Sequence, residues 1–295
     1  MGGIAMRRRA FGTGLVVAAL TAMGVVSFTL GGCKDTKLVS EQHAREHVAS
    51  LVEVVQGDVD EVRKGMPAAV VHLTQLFAKA TPREELAEPA RKALERARDK
   101  TQDLRVAKST FFGVTGRDGV VIRTDQEQDR LAGKPLFPAF PALKQALAGK
   151  YVETHGSMEE ASGVKGKPDG QWVVAQPVKI GSETKGLYVS GWSWSAYAYR
   201  LEFHLRSKLK SALDEYDKMP LIYVFVVVDK AVYGAPVTAL VSQEAVAQLD
   251  PMSKLDGSGV FATTLEITGR GYGLAVKSVP ELGQKIGIAV LRSET

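Results

Sequence analysis

The chain has 295 residues, 45% of them apolar, the composition of a globular protein with a substantial core. Its net charge is +5, but Arg7, Arg8 and Arg9 carry much of it and about +2 is left without them, so charge gives no support to nucleic-acid binding. A single cysteine excludes an internal disulfide framework.

Residues 1–32 have the layout of a bacterial lipoprotein signal peptide. Arg7-Arg8-Arg9 form a positive start, Gly12 to Leu30 form an uncharged apolar run, and Leu30-Gly31-Gly32-Cys33 places small residues before the only cysteine. That position argues for a lipid-bearing thiol on Cys33 rather than a disulfide or metal ligand. An uncleaved membrane helix is the competing reading, since the apolar run is long enough to span a bilayer. Either way the chain after Cys33 is expected outside the cytoplasm, tethered to the inner or outer membrane. Arg8-Arg9-Ala10-Phe11 also resembles a twin-arginine motif, so the export route stays open.

Residues 33–109 read as a helical region. Leu51, Val54, Val55, Val59, Val62 and Met66 recur at helical steps, and Gly65-Met66-Pro67 predicts a break before a second helix from Ala68 to Ala80. Thr81-Pro82-Arg83-Glu84 predicts a capping box opening a third helix that runs to about Asp103. His43 and His47 stand one turn apart, a chelating spacing, but with Glu41, Arg45 and Glu46 around them a solvated helix face is the favoured reading.

From Thr110 the period becomes that of strands. Phe111–Val114 and Val120–Ile122 flank the turn Gly116-Arg117-Asp118-Gly119, a predicted hairpin. A helical piece before Gly149, a loop from His155 to Gly170, and strands Gln171 to Ile180 and Gly186 to Trp192 complete a first module, residues 110–197. Tyr197 to Lys218 predicts a helix joining the modules, assigned to 198–219, through Leu201, Leu205 and Leu209. Strands Leu221 to Val228 and Ala231 to Gly234, a helix Ser242 to Leu249, and strands Val260 to Thr268, Tyr272 to Ser278 and Lys285 to Arg292 repeat the outline in residues 220–295. The expected class is α+β: long N-terminal helices followed by two antiparallel-sheet modules.

Phe112-Gly113-Val114-Thr115-Gly116-Arg117-Asp118-Gly119-Val120-Val121-Ile122, then Leu131-Ala132-Gly133-Lys134-Pro135-Leu136, Ala175-Gln176-Pro177-Val178 and Lys185-Gly186-Leu187-Tyr188-Val189 resemble the extracellular Cache sensor domains. These are PAS-like folds of bacterial chemoreceptors and sensor kinases, and the likeness covers residues 110–194, with 223–292 similar only in strand order. The resemblance implies a ligand-sensing protein introduced by long helices, in a double Cache arrangement. Two departures matter. The Arg-x-Trp-Tyr constellation of amino-acid-binding members is absent, so that ligand class does not transfer. No kinase, cyclase or methyl-accepting region follows Arg292, so a protein partner is expected to relay the signal.

The candidate ligand site is the aromatic group Trp172, Trp192, Trp194 and Tyr197, with Arg123 or Asp125 as polar anchor. Trp192 and Trp194 share strand parity if that strand extends far enough, which would aim both at a planar or apolar ligand. The alternative is that they cover the sheet against the following helix. Tyr233, Arg270 and Tyr272 are weaker candidates in the second module. Gly269-Arg270-Gly271-Tyr272-Gly273 reads as a hairpin turn rather than a phosphate loop, and Glu159-Glu160 as a poorly positioned acid pair. With no nucleophile, base and acid set, no enzymatic activity, metal or cofactor is expected. The partners expected are a small molecule of unknown class, the membrane through Cys33, and a relay protein; the rival is an envelope scaffold with degenerate PAS-like modules.

Overall fold

Ala44, Val48, Leu51, Val55, Val59, Val62 and Met66 lie along one face of a single helix, α1 (Thr36–Ala69), and each is at most 1% exposed. The computed structural model describes residues 36–79, 81–158, 169–214 and 218–294. The signal segment, Cys33 and Glu159-Glu160 lie outside the described residues.

The break predicted at Gly65-Met66-Pro67 does not occur. Pro67 falls in the last turn of α1, so at most the helix end is affected, and the chain tightens to a 3-10 helix only at Val70–Phe77. Gly65 instead marks a close crossing, since a Cβ there would lie 2.4 Å from a methyl of Leu104. The capping box is not formed either. Arg83–Leu86 is a 3-10 turn without a side-chain cap, and α2 (Ala87–Lys100) begins after it. Tertiary contacts decide this segment: Leu86 and Ala90 pack with Val114 and Ile122, and Arg83 pairs with Asp118 at 2.6 Å. A short α3 (Gln102–Val106) follows.

Among the described residues the strands form two five-stranded antiparallel sheets of one topology. In the first, β1 (Phe111–Gly116), β2 (Val121–Thr124), β3 (Val152–Met158), β4 (Asp169–Ile180) and β5 (Glu183–Ser193) lie in the order β2-β1-β5-β4-β3. The second comprises β6 (Leu221–Val228), β7 (Ala231–Gly234), β8 (Val260–Ile267), β9 (Arg270–Ser278) and β10 (Ile286–Ser293), in the order β7-β6-β10-β9-β8. The hairpin at Gly116–Gly119 forms as predicted, with Gly119 at φ 75°. β3 corrects the loop expected from His155: its backbone pairs with β4, placing His155 opposite Trp172, although its side chains are mostly polar.

Between the sheets runs α4 (Trp194–Lys210), capped by Ser193, whose hydroxyl accepts from the Ala196 N–H at 3.3 Å. It starts earlier and ends earlier than the predicted Tyr197 to Lys218, while Leu201 and Leu205 are buried as expected. α5 (Leu240–Gln248) covers the far side of the second sheet.

One continuous core joins the modules. α1, α4, the helix-side residues of the first sheet (Phe112, Val174, Tyr188, Trp192) and those of the second (Val224, Val226, Ile288, Val290) belong to it. Alternation in β10 shows the physics: Ile288 and Val290 enter that core while Ala289 and Leu291 face α5. The far face of the first sheet is filled separately by Phe111, Val173, Val189, Leu136 and Phe140. Arg63 of α1 ties both modules, donating to Glu153 of β3 at 2.7 and 2.9 Å and to the Glu281 carbonyl at 2.7 Å.

Candidate functional site

β4 and β5 place Trp172 directly opposite Trp192, and the two rings lie 4.4 Å apart. Tyr197, one turn into α4, also stacks on Trp192 at 4.4 Å with the planes 14° apart. Polar ends of these rings are tied down as well. The Trp192 indole N–H donates to the Lys108 carbonyl, and the Tyr197 hydroxyl donates to Asp58 of α1 at 2.8 Å. Burial raises the Asp58 carboxyl above its ordinary range, against the stabilising Tyr197 hydrogen bond, and it raises the Tyr197 hydroxyl further still.

A cleft of about 300 Å³ opens beside this stack. Its floor is Trp192 and Tyr197, its rim is Tyr199, Arg200 and Phe203 of α4, and Ser109 and Thr110 bring hydroxyls from the segment before β1. Tyr199 and Phe203 are 50% and 63% exposed, one helical turn apart, although both are large aromatic residues. Arg200 lies between them with no ion pair among the described residues. The arrangement offers the exposed rings of Tyr199 and Phe203 and one guanidinium, elements that hold an apolar molecule bearing a carbonyl or anionic group, while the Ser109 and Thr110 hydroxyls are already hydrogen-bonded to the protein.

The remaining predicted residues are dispersed. Trp194 is the first residue of α4, so it does not share strand parity with Trp192. It packs on Gly170, where a Cβ would come within 2.2 Å of its ring. Arg123 pairs with Asp129 at 3.4 Å, and Asp125 accepts from the Phe112 N–H at 2.8 Å and from Arg98 at 3.1 Å. Burial raises the Asp125 carboxyl despite these donors. Neither residue lines the Trp192 cleft. Trp172 borders a different cavity, of about 270 Å³, between β3 and the segment 280–283, and its indole N–H has no partner among the described residues.

His43 and His47 are not a solvated face. His43 Nδ1 lies 2.9 Å from Glu294, and His47 Nε2 accepts from Arg292, so this turn of α1 is latched to the end of β10. His47 is pushed down to about 4, by burial first and then by Arg292 and His43. No group of three metal-ligating side chains occurs among the described residues. In the second module Tyr272 is buried in the sheet core, Arg270 is exposed at the start of β9, just after the turn, and Tyr233 borders a separate cavity.

Sequence reasoning missed Ser109, Thr110, Tyr199, Arg200 and Phe203. The usable signal was the Tyr199 and Phe203 pair, aromatic at helical spacing on the face opposite Leu201 and Leu205.

No protein-family model matches the sequence, and comparison with curated proteins finds no match either. Solved structures do match. An extracellular ligand-binding receptor from Desulfohalobium retbaense superposes with a TM-score of 0.54 at 11% identity, over 85% of this chain and 40% of that one. A domain of a sensory box/GGDEF family protein from Vibrio parahaemolyticus gives 0.53 at 9% identity, over 88% of this chain and 98% of that one. The ligand-binding domain of the Campylobacter jejuni chemoreceptor Tlp3, in complex with 4-methylisoleucine, gives 0.50 at 10% identity, over 88% and 93%.

The fold is double Cache-like. At these identities the likeness is one of architecture: a long helix followed by two five-stranded antiparallel sheets. The chain spans under half the length of the Desulfohalobium receptor. No helix among the described residues is long and apolar enough to cross a membrane.

Proposed function

We propose that this double Cache-like chain is a ligand-sensing protein outside the cytoplasm, held to the membrane by lipid on Cys33 and signalling through a partner protein. The observation that carries the reading is the open cleft over Trp192, with Arg200 at its rim. Structural relatives whose names include ligand-binding receptor domains support it. Within the predicted set, only Trp192 and Tyr197 border the cleft, as its buried floor, while Trp172, Trp194, Arg123 and Asp125 hold the module together. The ligand is a planar or apolar molecule with a carbonyl or anionic group that meets Arg200. Melting shifts of the purified chain against a metabolite library test this, because a bound ligand raises stability by mass action. Absence of any stabilising compound at millimolar concentration overturns it. For the anchor, Cys33→Ser is expected to leave the detergent phase, and its retention there would favour an uncleaved membrane helix.

A second reading rests on the exposure of Tyr199 and Phe203 and on the close packing of the tryptophans. In it the modules are a scaffold and α4 docks a protein partner. Phe203→Glu would then abolish co-purification of that partner in a chain that binds no small molecule.

A further inference from the structure

A second cavity, of about 270 Å³, lies where the two modules meet. One wall comes from the first module: Asp169 at the start of β4 and Ser195 in the first turn of α4. The other comes from the second: Val232 and Tyr233 of β7, the segment after it, and Gln243 of α5. Asp169 is 2% exposed. Its carboxylate accepts hydrogen bonds from the Ser195 N–H and hydroxyl, both at 3.2 Å, and from the Ser193 hydroxyl. All of these donors are neutral, and no basic side chain among the described residues forms an ion pair with it. Desolvation accordingly raises the Asp169 carboxyl, against the hydrogen bonds from Ser193 and Ser195.

A buried carboxylate without a counter-charge is costly unless a cation reaches it. The facing wall has the complementary character. Tyr233 lies close enough for the Asp169 charge to raise its hydroxyl, after burial. Thr238 is 9% exposed and borders the cavity, and its hydroxyl has no partner among the described residues. Gln243 adds an amide oxygen, and Val232, Pro236 and Leu240 add apolar surface. No lysine, arginine or histidine lines the cavity among the described residues.

We propose that this junction is a separate binding site for a small organic cation, a primary ammonium on a short aliphatic body. The ammonium has three N–H donors: one meets Asp169, and the others meet oxygens of Tyr233, Thr238 or Gln243. The aliphatic part lies on Val232, Pro236 and Leu240. Because the two walls belong to different modules, occupancy ties β4 and α4 to β7 and α5, so the site couples the modules.

Calorimetric titration of the full chain in detergent with n-propylammonium, and with n-propanol as the neutral isostere, tests the proposal. The expected result is saturable binding of the ammonium, none of the alcohol, and at least a tenfold loss in Asp169→Asn. Tyr233→Phe and Thr238→Val, which each remove one hydroxyl, are expected to weaken binding severalfold and serve if Asp169→Asn does not fold. Phe203→Ala, in the other cleft, is expected to leave ammonium affinity unchanged. Equal binding of the alcohol, unchanged affinity in a folded Asp169→Asn or in both hydroxyl variants, loss of binding in Phe203→Ala, or no ammonium binding at millimolar concentration would each overturn the proposal.

Discussion

The two modules share a strand order but meet α1 differently. On the second sheet the helix-side face is aliphatic, and at Gly273 it is bare: a Cβ there would lie 2.0 Å from the Glu41 backbone nitrogen, so the helix rests on the strand. On the first sheet the same face carries the large rings of Phe112, Tyr188, Trp172 and Trp192, packed in one cluster with residues of α1 and α4. Small residues turn one sheet into a docking platform. Beside the large ones of the other lie a cleft at Trp192 and, among the described residues, an indole N–H without a partner at Trp172. Identical topology therefore supports a rigid attachment and a recess, and side-chain volume chooses between them.

The sharpest test of that contrast is α4, which both modules share. Leu205 is 2% exposed in the common core, so Leu205→Asp is expected to cost about 5 kcal/mol by leaving an unpaired charge buried. Chemical denaturation should show both modules weakened together, and an unchanged midpoint would mean that α4 is a free linker. Trp194→Ala is expected to cost about 4 kcal/mol, since the ring is 1% exposed and fills the space over Gly170. Phe203→Ala, on the open rim, is expected to cost under about 0.5 kcal/mol while weakening ligand binding. Equal costs for the two would erase the distinction between filled core and open cleft.

Gly273→Val breaks the platform itself. It is expected to cost about 3 kcal/mol through overpacking, and hydrogen exchange should rise in the first turns of α1 and not in the first sheet.

A further contrast separates the modules by pH. His47 is held at about 4 in the folded chain against 6.5 unfolded, so the unfolded state takes up a proton first. Stability from the α1 to β10 latch is present above pH 6.5 and is lost as pH falls toward 4, by about 2 kcal/mol after allowance for partial exposure. Glu294, held below its ordinary range because hydrogen bonds from Arg292 and His43 outweigh its burial, extends the loss further into acid. Asp58, Asp125 and Asp169 act with the opposite sign. Burial raises them, so the folded state binds their protons first and stability increases as pH falls through their folded values toward 3.8. Acid melting should therefore loosen the latch while the first module holds, and His47→Gln should remove the acid loss of stability between pH 6.5 and 4 and leave the opposite trend of the raised carboxyls. The same pH response in His47→Gln as in the parent chain across that range would contradict the latch.

Several features were legible before any coordinates. The Asp118-Gly119 turn, the β-branched run Leu221–Val228, the hairpin at Asp229-Lys230 and the leucine stripe of α4 are local signals, written in turn chemistry and side-chain period, and all appear in the fold. What failed were features whose local signal was outvoted. β3 has polar side chains because it is an edge strand, yet its backbone pairs along seven residues of β4. Pro67 looked like a break but sits within the last turn of α1, and the Thr81 box gave way to the packing of Leu86 and the pairing of Arg83. Trp194 changed role because β5 ends at Ser193, one residue short of the strand parity that would have joined it to Trp192.

Sequence alone determined most element types, the five strands of the second module, four of the five in the first and the helices that introduce them, because hydrophobic period and turn residues act over a few neighbours. Only the tertiary structure decided which residues line a cleft. Ser109 is distant in sequence from Arg200 and Phe203 yet meets them over Trp192, while Asp169 and Tyr233 belong to different modules and face each other across a junction. Such meetings depend on how far bulky rings or bare glycines set each helix from its sheet, a property of packed volume that no single stretch of the chain contains.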